Sequence, residues 1–122
     1  TFIEAGYDIH INFSPVVVEK DWLKHYEELF KLVNDNVKDE YKKDVKCEVI
    51  FLTHNESKHI QNVRDNLKGE ELLWVPRLQE DKTSGYGGKN VRYKLELKGT
   101  YIREFMRLHN EIIPWNTIRY IF

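Results

Sequence analysis

The chain has 122 residues, 41% hydrophobic and 32% charged, with formal charge −1. That is the size and composition of one folded soluble domain, and it excludes a disordered tail and a global attraction to nucleic acid or an anionic membrane. No apolar run approaches the roughly 18 residues of a spanning helix, and residues 1–6 lack a basic region leading into an apolar stretch, so a cytoplasmic setting with no membrane partner is expected. Cys47 is the single cysteine, which rules out an internal disulfide and an iron–sulfur cluster held by these residues alone. The chain starts at Thr rather than Met, close to an expected strand, as a piece of a longer chain would.

Tyr7, Ile9, Ile11 and Phe13 alternate with Asp8, His10 and Asn12, which predicts a half-buried strand ending near Ser14-Pro15. The valines at 16, 17 and 18 continue it or form a loop. Trp22, Leu23, Tyr26, Leu29, Phe30 and Val33 recur at helical spacing and predict an amphipathic helix from about 20 to about 37. A polar connector over 38–44 leads to a β-branched, increasingly apolar run at 45–52 that reads as a buried strand. Asn55 or Ser57 is the expected cap of a short helix carrying Ile60, Val63 and Leu67, with Gly69 past its end. Leu72 to Val75 stop at Pro76 and read as an edge or approach segment.

The run Lys82-Thr83-Ser84-Gly85-Tyr86-Gly87-Gly88-Lys89-Asn90 reads as a glycine-rich hairpin or ordered loop, followed by the alternating Val91, Arg92 and Tyr93. Leu97, Tyr101, Phe105, Leu108 and Ile112 predict a second amphipathic helix stopped near Pro114, and residues 118–122 a terminal strand. Strand, helix, strand, helix is the alternation of an α/β fold with a mainly parallel sheet. The whole chain reads as one unit, 1–122.

The chemistry legible in these residues is narrow. His10, His25, His54, His59 and His109 make no zinc-protease pair; His54 and His59, five apart, do not share a helix face, so no metal site is expected. No serine lies in a Gly-x-Ser-x-Gly elbow. Gly88-Lys89 lacks the preceding glycine and following hydroxyl of a phosphate-binding loop, because Thr83 and Asn90 stand there. Lys82, Tyr86, Lys89, Asn90, Arg92 and Tyr93 remain as cations, an amide and aromatics able to contact phosphate and stack on a base, or else to form a merely solvated turn.

Several segments, in order, resemble the last third of the spore photoproduct lyases. Glu4-Ala5-Gly6-Tyr7 leads a strand ending Phe13-Ser14-Pro15, then come Trp22 and the helix with Tyr26-Glu27-Glu28-Leu29-Phe30. The family has a similar Glu-Ala-Gly-Tyr, a strand ending in a small residue and proline, a Gly-Trp and a Tyr-x-x-Leu-Phe helix. His54 after its strand, Gly85-Tyr86-Gly87-Gly88-Lys89 against the family's Gly-Arg-Tyr-Gly hairpin, and the aromatic terminal strand extend the likeness over nearly the whole chain.

The resemblance implies the late βα units of a partial (β/α) barrel from a radical S-adenosylmethionine enzyme that repairs methylene-bridged thymine dimers in DNA. The complete protein would use S-adenosylmethionine and a 4Fe-4S cluster. This stretch would hold no cofactor and catalyse nothing alone, because the cluster's Cys-x-x-x-Cys-x-x-Cys motif and the donor cysteine lie upstream in the family. Asn12, Phe13 and Ser14 would lie beside S-adenosylmethionine, and residues 82–93 would face damaged DNA. The other expected partner is the rest of the barrel, with self-association through the sheet edge when that is missing. Two departures stand out. Gly85 replaces the hairpin arginine, leaving Lys82 or Arg92 to take its place, and Cys47 is not at the donor position. The alternative reading is a non-catalytic α/β module that binds nucleic acid or protein.

Overall fold

The computed structural model describes residues 9–82 and 89–122. Its elements are β1 (Ile9–Val16), α1 (Trp22–Asn36), β2 (Val45–Phe51), β3 (Thr53–Asn55), α2 (Glu56–Arg64), α3 (Glu70–Leu73), β4 (Gln79–Lys82), β5 (Asn90–Tyr93), α4 (Leu95–Ile112) and β6 (Thr117–Ile121), with 3-10 turns at Asp39–Asp44 and Pro76–Leu78. Two three-stranded sheets result. One is parallel, in the order β1-β2-β6; the other is antiparallel, in the order β3-β5-β4. The expected α/β class and parallel sheet are therefore present. The glycine run that would join β4 to β5 lies outside the described residues, as does the start of the first expected strand.

The parallel sheet forms because β1 and β2 each turn an apolar row to one face, which α1 and α4 cover. Phe13, Cys47, Val49 and Phe51 from the strands meet Trp22 and Phe30 of α1 and Phe105 and Leu108 of α4. Aromatic rings dominate this layer. Phe105 packs edge to face against Tyr26 at 5.2 Å, Phe30 at 5.4 Å, Phe13 at 6.1 Å and Phe51 at 6.2 Å, arrangements in which a ring edge meets a ring face favourably. Behind it, buried His109 lies 2.9 Å from Asn116 Oδ1, and the Asn116 amide donates to Val45 O at 2.8 Å, tying the end of α4 to the start of β2.

The region between β2 and α4 departs from the expected pattern twice. α2 exposes Ile60 and Val63 and buries Asn62 instead, because a polar acceptor rather than an apolar layer waits beneath it; Leu67, expected on the same helix, lies past its end and is exposed as well. The segment at 72–75, read as an edge or approach segment, begins within the single helical turn α3, entered through Gly69 at φ +87, a left-handed conformation costly for any residue with a Cβ. Asn55 caps α2 as expected, its Oδ1 accepting from Lys58 N–H at 3.1 Å. Among the described residues no helix is long and apolar enough to cross a membrane.

Candidate functional site

α1 and α4 cover one face of the parallel sheet; the other carries polar side chains. Glu48 Oε1 on β2 lies 2.6 Å from His10 Nδ1 on β1 and accepts from Arg119 Nη1 on β6 at 2.9 Å, so one carboxylate links all three strands. The hydrogen bond from His10 holds the Glu48 carboxyl below the ordinary carboxylate range; burial opposes this and Arg119 reinforces it. Asn12 and Ser14 are exposed on β1, near its carboxyl end, where parallel sheets place their ligands. Phe13 points the other way, into the aromatic core, so only its backbone is open to a ligand. Cys47 is fully buried; burial first, then the Glu48 charge, pushes its thiol up to about 12, so it stays protonated.

Where β2 and β6 end, a cavity of about 280 Å³ is lined by Ile50, Phe51, Thr53 and Phe122 and by three cations, Lys82 of β4, Arg92 of β5 and Lys98 of α4. The pairing of Lys82 with Asn90 and of Glu80 with Arg92 sets this part of the register, and Leu95 N–H donating to Glu80 Oε1 at 2.6 Å starts α4 so that Lys98 arrives beside them. Burial, followed by the charges of Arg92 and Lys82, lowers the Lys98 pKa from its usual value. Arg92 Nε is buried and makes no hydrogen bond among the described residues. Three mutually repelling cations with a buried donor make a site whose natural complement is an anion.

The sequence-based residue set is thus divided by the structure. Lys82 and Arg92 come together, and Lys98 joins them although, outside the apolar stripe of its helix, it gave no sign of this in the sequence. Lys89 lines a separate cavity with Trp74 and Gln79 and lies 3.8 Å from Asp81. The Asn90 side chain accepts from Asn55 Nδ2 at 3.0 Å, across the β3–β5 pair. Tyr93 needs correction as a base-stacking residue: it is 1% exposed, its hydroxyl accepts from Val18 N–H at 2.8 Å, and its ring packs on Tyr101. It anchors β5 to the core and offers no face to a base. Tyr86 lies outside the described residues.

The structure also brings His54, His59 and Glu70 together, although the two histidines share no helix face, as their spacing implied. Each histidine nitrogen is 2.7 Å from Glu70 Oε1, and Asn62 Nδ2 donates to Oε2 at 2.8 Å. A spacing rule carries no sign of this meeting, because His54 sits on β3 and His59 on α2 and no single helix face is involved. Burial raises the Glu70 pKa, but the hydrogen bonds from His59, Asn62 and His54 outweigh it and hold the carboxyl below its ordinary value.

No protein-family model matches the chain, and no curated protein sequence does. Solved structures do match. A spore photoproduct lyase variant with bound AdoMet and dinucleoside spore photoproduct superposes with TM-score 0.81 at 18% identity, covering 98% of this chain and 35% of that one. Spore photoproduct lyase complexed with dinucleoside spore photoproduct gives TM-score 0.82 at 18% identity and the same coverage. The chain thus spans about a third of the length of the structures it matches. Over 98% of its length it has the fold of spore photoproduct lyase, the parallel β1-β2-β6 sheet with its helices forming part of that larger architecture.

Proposed function

We propose that this chain is part of a radical S-adenosylmethionine enzyme of the spore photoproduct lyase kind, and that it grips damaged DNA through the cavity of Lys82, Arg92 and Lys98. The observation that carries this reading is the convergence of those three cations on one cavity at the carboxyl end of β2, on a fold whose solved relative binds a dinucleoside lesion. A backbone phosphate placed there would accept from the buried Arg92 Nε and relieve the repulsion around Lys98. Lys89 and Asn90, at the start of β5, contribute less, since each already has a side-chain partner. Tyr86 wedges against the extruded base, because a lesion inside a duplex cannot reach a reacting centre without leaving the stack.

For S-adenosylmethionine, the residues present fit: Ser14 is small and exposed at a strand end, and Asn12 is an exposed amide beside it. These two, with the Phe13 backbone, would hold the cofactor, which supplies a radical when bound and reduced. The 4Fe-4S cluster does not fit this chain, whose one thiol is buried and protonated. No step of the chemistry is assigned to these 122 residues; their part is binding and orientation.

The test uses the complete protein containing this chain and a DNA duplex bearing the lesion, titrated across a salt series. Lys98→Ala and Arg92→Ala are each expected to weaken binding and to reduce the slope of log K against log salt by about one. Tyr86→Ala is expected to cost about tenfold in affinity at every salt concentration, from roughly 1–3 kcal/mol of stacking. Parental affinity and slope in Lys98→Ala and Arg92→Ala together would remove the cavity from the DNA interface.

A further inference from the structure

Three elements that share no helix face and no strand converge on one carboxylate oxygen. His54 comes from β3, whose pairing with Val91 of β5 fixes its position. His59 comes from the first turns of α2, set by the Asn55 cap. Glu70 opens α3, after the chain reverses through left-handed Asn66 and Gly69. The ligand atoms of the three residues all lie within 4.8 Å of one another. Glu70 is 5% exposed, and a carboxylate is placed so deep only where charge or hydrogen bonds compensate it.

The surroundings are those of a ligating set. Asn62 occupies the second carboxylate oxygen and fixes its plane, the role that groups around a metal ligand ordinarily play. Trp74 stacks on the His59 ring at 4.5 Å, the planes only 10° apart, and meets His54 edge-on at 6.0 Å, so both imidazoles are held in orientation. A cavity of about 520 Å³, lined by His59, Asn62, Glu70, Glu71 and Trp74, opens directly on the cluster. It provides a path from solvent and room for a water or a further oxygen ligand. Two imidazole nitrogens and one carboxylate oxygen make a borderline donor set, suited to zinc and its neighbours rather than to calcium or magnesium.

We propose that His54, His59 and Glu70 bind a divalent transition cation of the zinc class, with the fourth position turned to the cavity. A tetrahedral ion about 2.0–2.2 Å from each ligand requires ligand atoms about 3.3 Å apart. The 2.7 Å separations therefore open by about half an ångström, which a small swing of the Glu70 carboxylate supplies. The ion clamps α2 and α3 to β3, and through the β3–β5 pairing steadies the strand that carries Arg92. This site is independent of the DNA-binding reading, and its test involves neither DNA nor S-adenosylmethionine.

The experiment strips the purified protein with a chelator and titrates it with zinc chloride by calorimetry, with cobalt(II) as a spectroscopic stand-in. One equivalent is expected to bind, to raise the thermal midpoint, and with cobalt to give the intense visible bands of a four-coordinate ion. Glu70→Gln, His54→Gln and His59→Gln are expected to abolish stoichiometric binding, and Asn62→Leu to weaken it about tenfold. His25→Gln, at an exposed histidine on α1, should bind like the parent. Should Glu70→Gln not fold, the two histidine variants carry the test. No stoichiometric binding by the parent, or parental affinity in both histidine variants, would overturn the proposal and leave Glu70 as the acceptor of a purely hydrogen-bonded knot.

Discussion

The parallel sheet with α1 and α4 and the stretch from β3 to β5 are stabilised in opposite ways. The first is a dry layer of aromatic rings in which no single contact is indispensable and each large side chain touches several others. The second has little apolar filling; α2 leaves Ile60 and Val63 in solvent and is fastened through His59 and Asn62 to one carboxylate. Damage to the first is shared among many neighbours and always large. Damage to the second depends on which polar atom is removed and on pH.

The strongest test of that contrast is Phe105→Ala. Phe105 is fully buried among four aromatic rings, and truncating it is expected to cost about 3–5 kcal/mol, read from the urea midpoint. A cost under about 1 kcal/mol would mean that the layer closes over the cavity and is less tightly packed than its ring geometry implies.

Glu70→Ala comes next. It leaves two imidazoles and the Asn62 amide without their acceptor, an expected loss of about 1–3 kcal/mol at neutral pH. In hydrogen exchange it should open the amides of α2 and α3 while those of β1 and β2 stay protected. Acid sharpens the same point. Because the Glu70 pKa is lower in the folded chain than its ordinary 4.5, the unfolded state binds more protons. Its contribution is therefore complete above about that value and fades as pH falls through the folded value. In metal-free protein, Glu70→Gln should flatten this acid limb of the stability curve; an unaltered limb would show that the carboxylate is not what acid removes.

The smallest effect lies where the two regions meet. Tyr93→Phe removes the acceptor of the Val18 N–H without changing the ring packing, and about 1 kcal/mol is expected in thermal unfolding. A neutral outcome would mean that the β5 anchor is the ring alone.

Periodicity made the first region legible in the sequence. Trp22, Tyr26 and Phe30, then Tyr101, Phe105 and Leu108, recur at helical spacing because each row faces a sheet, and Phe13 alternates because β1 is covered on that side only. The second region obeys no period. His54, His59 and Glu70 are joined by distance in space; Lys98 reaches Lys82 and Arg92 only once the β4–β5 register and the start of α4 are fixed. The apolar spacing of Ile60, Val63 and Leu67 misled, since the first two mark the outward side of α2 and the third lies beyond its end. Tyr93 misled as well, because an aromatic beside a glycine-rich turn reads as a contact residue when it is in fact buried. The resemblance in motif order carried the fold further than any local rule.

The parallel pairing of β2 with β6 imposes a timetable. Asn116, at the threshold of β6, reaches Val45, at the start of β2, across 71 positions, whereas the paired β4 and β5 are close neighbours in sequence. Closing so long a loop costs entropy that grows only slowly with length, but it must be met before the first β2–β6 hydrogen bond returns anything. During synthesis β1 and β2 therefore emerge well before the α4 rings that cover them and the strand that flanks them. The aromatic layer is completed only once α4 has emerged, and until then its apolar strands are the surface most in need of shelter.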